Sequence, residues 1–133
     1  MIISATPRTV NAPQEELFTF LSDFNNYEQL MPDQIVNWKS EKDGCSFTIS
    51  GMLSLALKFL EKTPHEKLDI IPDGKSPIKF TLKIRLEEES RQQTTAKVEV
   101  DADLNPMMAM MAKRPLENLV QMISEKLSEK FKA

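Results

Sequence analysis

His65 is the only histidine and Cys45 the only cysteine in the 133-residue chain. A single imidazole and a single thiol cannot supply a zinc site of the usual histidine–cysteine type. No second histidine is left to orient a catalytic one. Between Pro64 and Glu66, His65 reads as an exposed or hydrogen-bonded strand residue. Cys45 lies on an apolar strand face and reads as a small buried hydrophobe. If general acid–base chemistry occurs, Tyr27, His65 and Glu66 are the candidates. The run Glu87-Glu88-Glu89 meets a turn, where neighbouring side chains point opposite ways, so it reads as a solvated hairpin end and not a metal site. Gly74-Lys75-Ser76 resembles the end of a phosphate-binding loop, but Asp69 stands where that loop needs its first glycine, and Pro77 where its helix must begin. Ser76-Pro77-Ile78-Lys79 matches a nucleophilic Ser-x-x-Lys motif in letters only, because it opens a strand. No catalytic residue, metal or cofactor is assigned from these patterns.

The other chemically distinctive residues are apolar. Of eight methionines, five lie between Met107 and Met122. Met107-Met108-Ala109-Met110-Met111 is apolar nearly all round, as expected of a helix turn that is buried or makes a contact. Methionine suits an adaptable apolar surface, and it is also an ordinary core residue. The segment is either filler beneath a sheet or a wall or gate of a cavity. At 100° per residue, Met107 and Met110 point away from the main stripe of the helix, toward a ligand entrance, the short helices or a second copy of the chain. Tyr27 and Trp38, each the only one of its kind, fall near the junction of the short helices and the second strand. They read either as the mouth of a cavity or as amphipathic aromatics at a core edge.

These residues need elements to hold them. The segment Ile2–Val10 reads as an opening strand with Pro7 at an edge or bulge. Asn11-Ala12-Pro13-Gln14 starts a helix, with Asn11 as cap and Gln14 in the capping-box position. Leu17, Phe20, Leu21 and Phe24 share its apolar face. A second short helix is expected over Asn25–Met31, ended by Pro32. Strands follow at Ile35–Lys42, Cys45–Ile49, Leu53–Phe59 and onward, Glu66–Ile71, Ile78–Leu86 and Ala96–Leu104. Asp43-Gly44 and Pro72-Asp73-Gly74 are turn signals between them. Their short connections require an antiparallel sheet of about seven strands with one covered face. Asn105-Pro106 opens a long final helix to about Lys130, with Pro115 inside it and a kink expected near Met111–Ala112.

Size and composition suit one domain, 1–133, with its own core. The chain is 41% hydrophobic and 28% charged, with net charge −3 and no basic block, so a nucleic-acid footprint is not expected. The longest apolar run, Met107–Ala112, is far short of a membrane span of about 20 residues. No secretory leader is evident at the start, and a reducing cytoplasm is the expected location.

A single helix cannot fill the concavity of a strongly curved seven-stranded sheet, so large side chains, a gap or a ligand must complete it. The stretch ATPRTVNAPQEELFTFLSDFNNYEQLMP (residues 5–32), the strand meander, and a final helix opening NPMMAMMAKRPLENL together resemble the START-like helix-grip superfamily, with its polyketide cyclase and lipid-transport branches. That resemblance implies an α+β helix-grip fold, β-α-α-β6-α, whose curved antiparallel sheet wraps the C-terminal helix around an internal cavity. Its members bind lipids, sterols, polyketides or other apolar molecules. The expected function is therefore binding of a hydrophobic or amphipathic small molecule such as a lipid, quinone or polyketide, without catalysis. A cyclase or dehydratase activity and a protein-interaction module, including a homodimer, are the rivals. Expected lining residues on the sheet are Phe47, Leu55, Leu57, Phe80, Leu82 and Val98. On the helix they are Met108, Met111, Ala112 and Leu119, with Tyr27 and Trp38 at the mouth.

Overall fold

The computed structural model describes residues 1–51 and 53–132. Eight strands form one antiparallel sheet: β1 Ile2–Ser4, β2 Arg8–Val10, β3 Ile35–Glu41, β4 Gly44–Ile49, β5 Leu53–Thr63, β6 Lys67–Pro72, β7 Lys79–Ser90 and β8 Gln93–Asp103. The helices are α1 Gln14–Leu21 and α2 Pro106–Lys130. The sheet order is β1-β8-β7-β6-β5-β4-β3, and β2 also pairs with β8. β1 and β2 are thus two pieces of one edge strand, interrupted at Ala5–Pro7, where proline removes a ladder donor. This accounts for eight strands where the alternation suggests about seven.

Alternation sets the sheet's two faces. In β7, Phe80, Leu82, Ile84 and Leu86 are buried, and in β8 Ala96, Val98, Val100 and Ala102 are. Register shifts between Val36 and Lys39, Phe59 and Glu61, and Glu88 and Ser90 add local twist and help the sheet curl. At the first of these Asn37 has φ 56°, a left-handed value that asparagine tolerates better than most residues.

The concave face is covered unevenly. α2 lies against β8, β1 and β2 and against the single 3-10 turn Glu28–Leu30, whereas α1 covers β6 and β7. Polar contacts fix the direction of α2. Its middle meets Thr6 through Gln121 and Ser124, and Ser128 donates to the Thr9 carbonyl. Its tail meets α1 where Phe131 packs edge-on against Phe20, 5.3 Å between ring centres. The inward stripe Ala112, Leu116, Leu119, Val120, Ile123 and Leu127 is buried.

Three local expectations are corrected. Asn11 does not cap α1. Pro13 holds the N-cap position with no side-chain bond, and Asn11 Oδ1 accepts from Gln93 Nε2 at 3.0 Å. Gln14 closes no capping box, because its amide donates to the carbonyls of His65 (3.1 Å) and Leu86 (2.9 Å). The segment expected as a second helix is two single 3-10 turns, Phe24–Asn26 and Glu28–Leu30, since Asp23 caps the first and Pro32 leaves no room for a longer helix. The final helix matches expectation in extent: α2 is continuous over Pro106–Lys130 with Pro115 inside it and Asn105 as its cap, its side chain accepting from Met108 N at 2.8 Å.

Candidate functional site

The two ends of the sheet differ. At one end lie the hairpins β3–β4, β5–β6 and β7–β8, closed over by α1 and the first 3-10 turn. Phe24 N donates to the Lys42 carbonyl at 3.0 Å, and Thr94 Oγ1 to Ala12 O at 2.8 Å. At the other end lie the β4–β5 turn, the β6–β7 loop, the segment 31–34 and the first turns of α2. Gly51 and Gly74, in the turns there, have φ 76° and 81°, values that favour glycine.

Between the sheet and α2 at this second end is a crevice of about 200 Å³. Ile35 and Ile49, cross-strand partners on β3 and β4, form its sheet side. Pro115 forms its helix side, and Pro32, Gln34, Ser50, Arg114 and Asn118 surround it. The Ser50 amide donates to the Gln34 carbonyl at 2.8 Å and closes one rim. Pro115 has no N–H, so it presents an apolar surface to the crevice. A wider groove of about 750 Å³ runs on the opposite side of α2, between Ile2–Ser4 and Met110, Lys113, Glu117 and Gln121. It is a trough open to solvent, with more polar lining, and lies outside the sheet–helix interior.

The expected lining residues sort into groups. From Ile49 the inner face of the sheet continues to Phe47 and its cross-strand partner Leu55. With Leu57, Phe80, Leu82, Val98, Ala112 and Leu119 these side chains form part of one buried core. Packing is not uniform within it. Leu55, Leu57 and Phe80 keep 5%, 4% and 6% of their exposure, whereas Leu68, Ile70 and Ile84 keep 0%. Met108 is half-buried against the core. Met111 lies elsewhere than expected: Met107, Met110 and Met111 are 72%, 85% and 57% exposed. One solvent-facing side of the helix carries all three at i, i+3 and i+4.

Tyr27 is not at a mouth. It is fully buried against Phe24, 5.0 Å between ring centres, and its hydroxyl donates to Leu21 O at 2.7 Å. That bond fixes the turn after α1, a reach of six residues that no spacing rule singles out. Burial, with the nearby Cys45 as a smaller influence, raises its pKa well above the ordinary value. Burial also pushes the Cys45 thiol up to about 12, opposed in part by a hydrogen bond with the Leu57 backbone. A thiol held neutral is a poor nucleophile. Trp38 is half-buried and stacks on Phe47, 5.6 Å between ring centres with planes 12° apart. Its Nε1 is shielded from solvent and has no hydrogen-bond partner among the described residues. His65 sits in the β5–β6 hairpin with φ 68°, its ring edge-on to Phe18 at 5.7 Å. It is at the closed end, remote in the topology from the crevice. Among the described residues no group of three or more His, Cys, Asp or Glu side chains is placed to hold a metal. No described helix is long and apolar enough to cross a membrane.

Ile35, Ile49, Gln34, Ser50, Arg114, Pro115 and Asn118 are absent from the expected lining. Ile49 belongs to the same alternation as Phe47, and Pro115 stands out by type. The polar members have no signal in sequence, because their proximity depends on the approach of α2 to the β4–β5 turn.

No protein-family model and no curated protein sequence matches the chain. Solved structures do. A START superfamily protein from Mycobacterium smegmatis superposes with TM-score 0.69 at 15% identity, covering 97% of this chain and 98% of that one. Norcoclaurine synthase from Thalictrum flavum gives 0.75 at 9% identity, covering 98% and 85%. The di-domain aromatase/cyclase BexL of the BE-7585A biosynthetic pathway gives 0.71 at 11% identity, covering 97% of this chain and 45% of that one. Together with the long C-terminal helix against a curved antiparallel sheet, these likenesses show that the chain has the START-like helix-grip fold.

Proposed function

We propose that this protein binds a hydrophobic or amphipathic small molecule, of lipid, quinone or polyketide-like character, between the sheet and α2. The observation that carries the reading is the crevice at Ile35, Ile49 and Pro115, between the sheet and α2 and next to the inner face on which Phe47 follows Ile49. Apolar ligand surface buried there contributes about 25 cal/mol per Å² before the costs of association. A fold shared with a START protein, a synthase and a cyclase supports binding of a small molecule without selecting a reaction. Catalysis has little to draw on: Tyr27 spends its hydroxyl on Leu21, and His65 is at the other end of the sheet. The single buried cysteine suits a cytoplasmic binding protein.

Native mass spectrometry of protein purified gently from its own host tests this, with the denatured mass as control. An added mass that disappears on denaturation is the expected result. Protein that carries no such mass and takes up no apolar probe overturns the reading. The exposed methionines of α2 favour a second reading, in which they meet another protein or a second copy. A sedimentation mass that stays monomeric at all concentrations removes the second copy.

A further inference from the structure

We infer that Arg114 is the head-group contact of the crevice, and that the ligand is an amphiphile bearing an anionic group such as a carboxylate. This rests on the proposed function and deepens it.

α2 divides its polar residues between two sides. Lys113, Glu117 and Gln121 line the groove along β1, whereas Arg114 and Asn118, one turn apart, line the crevice. The one acidic side chain near Arg114 on the helix, Glu117, therefore faces the other groove. None of the ion pairs among the described residues uses Arg114. Asp33, between Pro32 and Gln34, is exposed, does not line the crevice, and makes no ion pair among the described residues. The crevice thus pairs an apolar interior with an uncommitted guanidinium and the amide and hydroxyl groups of Gln34, Asn118 and Ser50 at its rim. A guanidinium matches a carboxylate with two parallel N–H donors and remains charged at any ordinary pH. An aliphatic tail against Ile35, Ile49 and Pro115 leaves its head at the rim, where Arg114 stands. A cationic head would meet the guanidinium with like charge.

The test uses three soluble eight-carbon probes short enough for this crevice: octanoate, octanol and octyltrimethylammonium. Each is titrated into wild type and Arg114→Gln, followed by Trp38 fluorescence and by chemical shifts. Arg114 is exposed, so the variant keeps the wild-type melting temperature, which is checked. Wild type is expected to take octanoate and octanol and to disfavour the ammonium. The variant is expected to lose about fivefold in octanoate affinity, at the upper end of the range for a solvent-exposed ion pair, and to bind octanol unchanged. Arg114→Lys keeps the charge but loses the paired donors, so its octanoate affinity is expected to fall between those of wild type and Arg114→Gln, and added salt weakens octanoate binding only where the cation remains. Equal octanoate affinity in wild type and Arg114→Gln overturns the assignment of Arg114 and leaves the binding function standing. Failure of all three probes to bind wild type overturns both.

Discussion

Both ends of the sheet carry large apolar side chains, but they are covered differently. At the closed end, Phe24 stacks on Phe59 with ring centres 4.3 Å apart, Tyr27 packs beside it, and Gln14 ties α1 to the His65 carbonyl in the β5–β6 hairpin and the Leu86 carbonyl of β7. At the open end, Met107, Met110 and Met111 face solvent, and a crevice remains between Ile49 and Pro115. The difference lies in what covers each end. Aromatic rings in fixed contacts close one, while flexible methionines stand beside a gap at the other. A rigid closed end holds the sheet's curvature, and the proposed ligand would enter at the open end.

The sharpest way to break this comparison is Phe24→Ala. Phe24 is fully buried, and its removal leaves a hole that neighbouring rings cannot refill, at a cost of about 3–5 kcal/mol. Urea unfolding measures it, with Met111→Ala as the paired change at the open end, expected within about 0.5 kcal/mol. Equal losses at the two positions would mean that the ends are packed alike.

The buried thiol and phenol make the same contrast visible in pH. The Cys45 pKa rises from an ordinary 9.0 to about 12 in the folded protein, and Tyr27 is raised as well. The unfolded chain therefore releases protons first as pH rises. The stability from keeping these groups neutral is complete below about pH 9 and is lost as pH climbs toward 12. Three units correspond to at most about 4 kcal/mol from Cys45. Stability measured by urea from neutral to strongly alkaline pH should fall across that window, with Cys45→Ala flattening part of the slope. A flat profile in the wild type would mean that water reaches both groups.

Tyr27→Phe keeps the ring and removes only the hydroxyl bond to Leu21, leaving a buried carbonyl short of a partner. The expected loss is about 1–2 kcal/mol in the same unfolding measurement. No loss would show that the turn after α1 is held by the rings alone.

Much of this fold is legible in the sequence, and for definable reasons. Period-two alternation in Ile78–Leu86 and Ala96–Leu104 gives two long strands and their buried faces, and the stripe from Leu116 to Leu127 gives the helix face that meets the sheet. These patterns follow from burial on one side, which acts residue by residue. Caps and turns are less legible, because Gln14 and Asn11 have partners about 50 to 80 residues away that outcompete local capping. The candidate site is the least legible part. Residues such as Phe47 and Leu55 are marked by alternation, but the rim residues Gln34, Ser50, Arg114 and Asn118 are ordinary surface types in ordinary places. Met111 illustrates the opposite error, an apolar residue assigned inward by type although its side of the helix faces water.

The exposed methionines give the finest test of the comparison. Changing Met107, Met110 and Met111 to serine removes apolar surface that makes little contact, so each change should alter stability by less than about 0.5 kcal/mol. Helix propensity opposes the change only weakly, since serine and methionine differ by tenths of a kcal/mol. A triple serine variant that unfolds within about 1 kcal/mol of wild type in urea, at dilute and concentrated protein alike, leaves the open end uncovered in the monomer. A loss of several kcal/mol that grows with protein concentration in the wild type would mean that the methionines are buried against a second copy. The open end would then be an interface, closed as firmly as the aromatic end, and the crevice behind it would admit a ligand only when the copies part.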